Sequence, residues 1–175
     1  APGGSLAVGA NTVTLTPCPL GVAGADTAHY VYLSGGTGTA EAVLITGGTC
    51  TSGAATGTII FTAAFSHTGA WTVTSATAGI QEASTATPVS IIHLDGIGYD
   101  IYAPITLASG SAGIQGTERG LTRLHIHFTT GSIITYGGVG AQASFSNFWI
   151  VPEAGHMVNG AALNCITADK VTINA

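Results

Sequence analysis

The stretch LTRLHIHFTTGSIITYGG, residues 121–138, contains the pattern from which the fold of the second half of the chain is predicted. Apolar and polar residues alternate around Leu124 and Ile126, and a second short apolar run precedes the turn TYGG. Alternation with a period of two is typical of a half-buried β-strand. The stretch therefore predicts two short strands separated by polar turns.

The same pattern returns along the chain at a nearly constant spacing. One period is too short to bury its own apolar face, so neighbouring copies must stack as they do in a solenoid. The spacing predicts a parallel β-helix, and a β-sandwich with evenly spaced strands is the alternative. The repeated positions are Leu124, Phe148 and Val171; Ile126, Ile150 and Ile173; Ile133 and Met157; and Ile134 and Val158.

A second set of residues resembles a known family. The order is Ala103, Pro104 and Ile105, then Ile114 and Gly116, then Arg119, Gly120 and Thr122 before Leu124 and Ile126. This order resembles the opening coils of pectate-lyase-superfamily proteins, which include polysaccharide lyases, glycosidases and phage tailspikes. That family usually has Gly-x-Gly-Arg-Gly where this chain has Gly116-Thr117-Glu118-Arg119-Gly120.

Two further segments extend the resemblance over about residues 79–175. The strand DKVTI, residues 169–173, is similar to the Asn-Val-Thr-Ile strands of such coils, and GIQEA, residues 79–83, resembles a short capping helix. The resemblance implies a right-handed parallel β-helix. It carries no catalytic residue over to this chain.

The N-terminal part of the chain predicts a different module. Five segments alternate apolar with small polar residues and are separated by turns rich in Gly or Pro. They predict a small β-sandwich or barrel-like module over residues 1–83, followed by β-helix coils over residues 84–175, so that the protein is all-β. The predicted strands are residues 13–16, 29–35, 41–48, 57–65 and 70–76.

Charge is scarce in this sequence. Charged residues make up 6% of the chain, whereas about 25% is usual, and only 3 are Lys or Arg. With a net charge of −5 the protein cannot neutralise several phosphates, which excludes nucleic acid as a principal partner. No apolar run approaches the roughly 18–20 residues of a membrane span, so we expect no membrane insertion. No phosphate loop or CxxC motif is present, and we expect no cofactor.

The chain has three cysteines. We expect a disulfide between Cys18 and Cys50, the alternative being three buried thiols in a reducing compartment, and the state of Cys165 stays open. Together with the low Lys content, the disulfide predicts an extracellular or virion-surface protein. The chain begins at Ala1 without Met, which indicates processing or a longer natural chain.

Candidate site residues follow from the alternation. If Leu124 and Ile126 point inward, one opposite face is shared by Arg123, His125, His127, Asn147, Trp149, Lys170 and Thr172. A tryptophan flanked by Asn, His and Arg suits both sugar stacking and a subunit interface. His125 and His127 share a face as a metal site would require. The positions of His93 and His156, the other histidines weighed as a third ligand, are open, and we expect no metal.

Catalysis has only weak candidates. Glycoside hydrolysis needs two carboxylates across a cleft, and the pairs available are Asp95 with Asp100, or Glu118 with Glu153. Carboxylates in turns are more often solvated. β-Elimination needs a cation or metal, and the available cations are Arg119, Arg123 and Lys170.

These observations favour an extracellular or virion-associated structural or adhesion protein. The scarcity of charge and the uncapped strand at residues 171–175 require a cover, so we expect a homo-oligomer, a trimer or a polymer, serving as a spike, fibre or filament subunit. Two uses stay open for its side face, polysaccharide binding and a subunit interface. The alternative is the N-terminal part of a secreted polysaccharide lyase or glycosidase of the same fold.

Overall fold

A computed structural model describes residues 4–18, 29–51, 53–86, 90–107, 113–117, 121–137, 142–155, 162–166 and 170–174. The chain forms two compact units, Ala1–Ala76 and Thr77–Ala175. The division falls before the predicted boundary at residue 83, because the short helix packs with the second unit. The protein is all-β, and this helix is the only one among the described residues.

The first unit is one antiparallel sheet. Its strand order is β1-β6-β3-β4-β5-β2, and its two edges are consecutive strands of the chain, so the sheet is barrel-like and nearly closed. The predicted barrel-like module and its five strands are confirmed, while β1 has only three residues and too little pattern to be predicted. The strands are β1 (Gly4–Leu6), β2 (Gly9–Leu15), β3 (Tyr30–Thr37), β4 (Glu41–Gly48), β5 (Gly57–Ala63) and β6 (His67–Ser75).

The core of the first unit contains alternate residues of these strands, including Val31, Leu33, Ile59 and Phe61, because successive side chains point to opposite faces. A buried disulfide joins Cys18 and Cys50, as predicted. Gly57 leaves room for it, since a Cβ at this position would lie 2.7 Å from Cys18 Sγ.

The second unit contains α1 (Ile80–Ala86) and ten short strands arranged in three small parallel sheets. Each strand pairs with the strand three places later in the chain, in the orders β7-β10-β13-β16, β8-β11-β14 and β9-β12-β15. The strands are β7 (Ile91–Leu94), β8 (Gly98–Ile101), β9 (Ile105–Thr106), β10 (Gly113–Gly116), β11 (Thr122–Ile126), β12 (Ile134–Gly137), β13 (Gln142–Ser146), β14 (Phe148–Pro152), β15 (Leu163–Ile166) and β16 (Lys170–Asn174).

Inward residues of all three sheets form one core. Ile114 lies opposite Ile92 on one side and Phe145 on the other, so that like residues stack from strand to strand. Ile80 of α1 joins the same core. Other members are Leu94, Ile101, Ile105, Leu107, Leu124, Ile126, Ile133, Ile134, Tyr136 and Ala143.

The predicted constant repeat is wrong for the strands around β11. Leu124 lies opposite Ile150 of β14, whereas the repeat placed it opposite Phe148. Val171 lies opposite Ala143, in a different sheet. An offset of two positions preserves the face of a strand, and therefore Phe148 and Ile150 both still pack against the core.

The predicted repeat of Ile134 with Val158 is also wrong. Ile134 lies opposite Leu163 of β15, whereas the repeat placed it opposite Val158. Met157 and Val158 themselves lie outside the described residues. The loops between the sheets differ in length, so the sequence distance between paired residues varies from one sheet to the next.

Candidate functional site on the outer face of one parallel sheet

The sheet β8-β11-β14 has one buried and one solvent-facing side. On its central strand, Leu124 and Ile126 are fully buried, while Arg123 is exposed and His125 is half-buried. This is the alternation that the sequence predicts. We call the solvent-facing side the outer face, and it consists of Gly98, Asp100, Tyr102, Arg123, His125, His127, Trp149, Val151 and Glu153.

Strand pairing places these residues in rows across the sheet. Arg123 lies between Gly98 on β8 and Trp149 on β14. Two residues further along β11, His125 lies between Asp100 and Val151. Backbone pairing continues past the strand ends, because the His127 amide donates to the Ile101 carbonyl at 2.9 Å and the Glu153 amide to the Ile126 carbonyl at 3.1 Å.

Two histidine–carboxylate pairs cross the sheet diagonally. His125 Nδ1 donates to Glu153 Oε1 at 2.5 Å, and His127 Nε2 donates to Asp100 Oδ1 at 2.9 Å. The Tyr102 ring stacks on the His127 imidazole with centroids 4.7 Å apart. These contacts hold both imidazoles in defined orientations on a partly exposed surface.

The other end of the outer face is aromatic and cationic. The Trp149 side chain is 53% exposed. Among the residues that the structure describes, no carboxylate lies within ion-pair distance of the Arg123 guanidinium. An exposed indole beside a guanidinium can stack on a ring and donate hydrogen bonds to a ligand.

Some residues predicted for this face lie elsewhere. Lys170 and Thr172 belong to β16, which pairs with β13 in the four-stranded sheet, so the prediction that they share the face was wrong. Asn147 forms the junction between β13 and β14 with a φ of 60°. Asn tolerates this left-handed conformation better than most residues, which gives Asn147 a turn-forming role here.

The structure also locates the catalytic candidates. Asp95 follows the end of β7, a strand of the four-stranded sheet, whereas Asp100 lies on β8 of a three-stranded sheet. Glu118, Arg119 and His156 lie outside the described residues. His93 is exposed on β7, away from His125 and His127.

Sequence reasoning missed the partners of the two histidines. The sequence analysis pairs Asp100 and Glu153 only with other carboxylates, as candidates for glycoside hydrolysis, and assigns no role to Tyr102. The signal for Glu153 is its alternation with Trp149 and Val151 along β14, which places all three on one face. Its contact with His125 depends on register, which the sequence pattern did not supply.

No described group of three or more His, Cys, Asp or Glu is arranged to hold a metal ion. Within the same residues, no helix is long and apolar enough to cross a membrane.

The Cys18–Cys50 disulfide is consistent with an extracellular environment. No known family, characterised protein or solved structure matches this chain.

Proposed function

We propose that this protein is an extracellular or virion-surface structural protein, a spike, fibre or filament subunit, whose outer face binds glycans. The observation that carries the proposal is the half-exposed Trp149 beside Arg123, for which the described residues provide no carboxylate partner, on the same face as two histidine–carboxylate pairs. Sugar rings present apolar faces that stack on aromatic side chains and hydroxyls that need donors and acceptors. The outer face provides both.

We further propose that the second unit forms coils of a right-handed parallel β-helix. Three features support this assignment: the three parallel sheets, the pairing of each strand with the third strand after it, and the single core between the sheets. A stack of this kind presents its side faces to solvent and suits an elongated fibre.

The subunit is proposed to act as a homo-oligomer. Large apolar side chains are exposed on the second unit, including Ile97 at 72%, Leu121 at 49% and Ile173 at 65%. Exposed apolar residues on a chain with 6% charged residues favour burial against another copy. Native mass spectrometry and electron microscopy are expected to show a trimer or a polymer, and a monomer at micromolar concentration would contradict this part of the proposal.

Trp149→Ala is expected to weaken glycan binding by at least about tenfold, because the stacking surface is lost. Binding should be measured by calorimetry or biolayer interferometry against dextran, starch, mannan and polygalacturonate. Phe65→Ala is the matched control, since Phe65 is an aromatic residue of similar exposure, 45%, in the first unit. Equal binding by both variants would contradict a role for the outer face.

A second candidate function, glycoside hydrolysis, is favoured by one observation. Asp100 and Glu153 flank β11 on the same face, two strand spacings apart and two positions apart along the strands. Their backbones are therefore about 12 Å apart, and side chains turned towards each other would reach the roughly 6.5–9.5 Å between the carboxyls of inverting glycosidases. Release of reducing ends from a bound polymer, abolished by Asp100→Asn and by Glu153→Gln, would support hydrolysis. Binding without release of reducing ends would contradict hydrolysis and support only the glycan-binding function.

A further inference from the structure

One row of the outer face contains one residue from each of the three strands. Trp149 lies on β14, Arg123 lies beside it on β11, and Gly98 completes the row on β8. Neighbouring strands are about 4.8 Å apart, so the row is about 10 Å wide. This width is sufficient for one or two sugar rings.

Gly98 brings His125 into this row. A Cβ built on Gly98 would lie 3.4 Å from His125 Nε2 and 3.5 Å from its Cδ2. The imidazole therefore leans over the glycine, in the space that a side chain would otherwise occupy. As a result His125 Nε2 lies in the row of Arg123, although its backbone belongs to the next row.

The two polar groups of the row have opposite hydrogen-bonding roles. In the tautomer whose single proton is on Nδ1, that nitrogen donates to Glu153 and Nε2 is an acceptor. The Arg123 guanidinium has only donors. Among the described residues neither Nε2 of His125 nor the guanidinium has a hydrogen-bond partner, so both are available to a ligand.

We infer that this row is a subsite for a neutral sugar ring with two vicinal hydroxyls. Arg123 donates to one hydroxyl oxygen, the neighbouring hydroxyl donates to His125 Nε2, and the ring packs on Trp149. The inference rests on the proposed glycan-binding function and adds the chemistry of the ligand. A vicinal diol fits because each hydroxyl both donates and accepts.

The surrounding charges favour a neutral ligand over an acidic one. Asp100 and Glu153 lie on the same face, and the chain carries a net charge of −5. An anionic sugar would approach Arg123 against this potential. A neutral diol satisfies both groups without this repulsion.

Periodate chemistry tests the inference on the full chain. Periodate followed by borohydride opens the carbon–carbon bond between vicinal hydroxyls and leaves isolated alcohols. Dextran, starch, mannan and polygalacturonate should each be compared untreated and treated. Binding to the preferred neutral polymer is expected to fall at least about tenfold after treatment.

Two variants address the same row. Arg123→Gln and His125→Ala are each expected to weaken binding to the untreated neutral polymer by about tenfold. Periodate treatment of the polymer should reduce the binding of each variant by a smaller factor than it reduces the binding of the wild type. His93→Ala is the control, because His93 is an exposed histidine on another sheet. Circular dichroism melting curves verify that each variant is folded.

The outcomes separate the inference from the function on which it rests. Binding that survives periodate, or a preference for polygalacturonate that Arg123→Gln alone removes, would overturn the diol subsite and leave glycan binding in place. Failure of all four untreated polymers to bind would overturn the glycan-binding proposal together with the subsite.

Discussion

The double variant Cys18→Ala/Cys50→Ala is expected to lose about 4 kcal/mol of unfolding free energy in the first unit. The bond joins residues 32 positions apart, and removing it restores the conformational entropy of that loop to the unfolded chain. Both half-cystines are buried, so the packing around them is also lost. Urea denaturation followed by tryptophan fluorescence measures the change.

The two tryptophans allow the units to be followed separately. Trp71 belongs to the first unit and Trp149 to the second, so a Trp149→Phe background leaves Trp71 as the single reporter. Addition of dithiothreitol should lower the stability of the parent protein to that of the double variant and leave the double variant unchanged. A parent protein with the same urea midpoint with and without reductant would show that the bond contributes no stability.

Glu41→Ala is expected to cost about 3 kcal/mol of unfolding free energy. The Glu41 carboxylate accepts hydrogen bonds from the backbone amides of Ala64 and Phe65 at 2.8 and 3.0 Å, and from His67 Nε2 at 3.2 Å. It thereby ties the start of β4 to the connection between β5 and β6. Because the His67 side chain is completely buried, alanine would leave it without this acceptor, and unmet buried groups are costly.

Two variants show whether burial causes this effect. Glu153→Ala also removes a carboxylate from a histidine, but that pair is 29% and 37% exposed, so we expect a loss below about 1 kcal/mol. The unfolding free energy of Glu41→Gln should lie between those of the parent protein and Glu41→Ala, since the amide oxygen still accepts a hydrogen bond. Urea midpoints for all three should be recorded in parallel, and equal losses for Glu41→Ala and Glu153→Ala would refute the argument from burial.

Local alternation was sufficient to predict most strands. Segments such as residues 41–48 and 57–65 alternate apolar and small polar side chains, and the structure has β4 and β5 there. The pattern is readable because one face of each strand contacts a core and the other contacts water. β1 escaped prediction because its three residues contain only one apolar side chain, Leu6.

Alternation also predicted which side chains point outward on β11 and β14. Arg123, His125 and Trp149 are on the outer face as expected. Lys170 and Thr172 were assigned to that face through the supposed constant repeat, which the loops do not preserve. The alternation of side chains between the two faces is a property of one strand. The strand with which it pairs depends on loop length and on the backbone hydrogen bonds of the folded chain.

The sequence alone was sufficient to predict an all-β protein, a Cys18–Cys50 disulfide as the favoured pairing, and the outward orientation of Arg123, His125 and Trp149, and the structure has all three. Those features depend on side-chain period, composition and cysteine spacing, which are written along the chain. The contact of Glu153 with His125, the contact of Asp100 with His127, and the position of the His125 ring over Gly98 are evident only in the folded chain. These contacts join residues from three separate strands, and their register is set by pairing across the sheet.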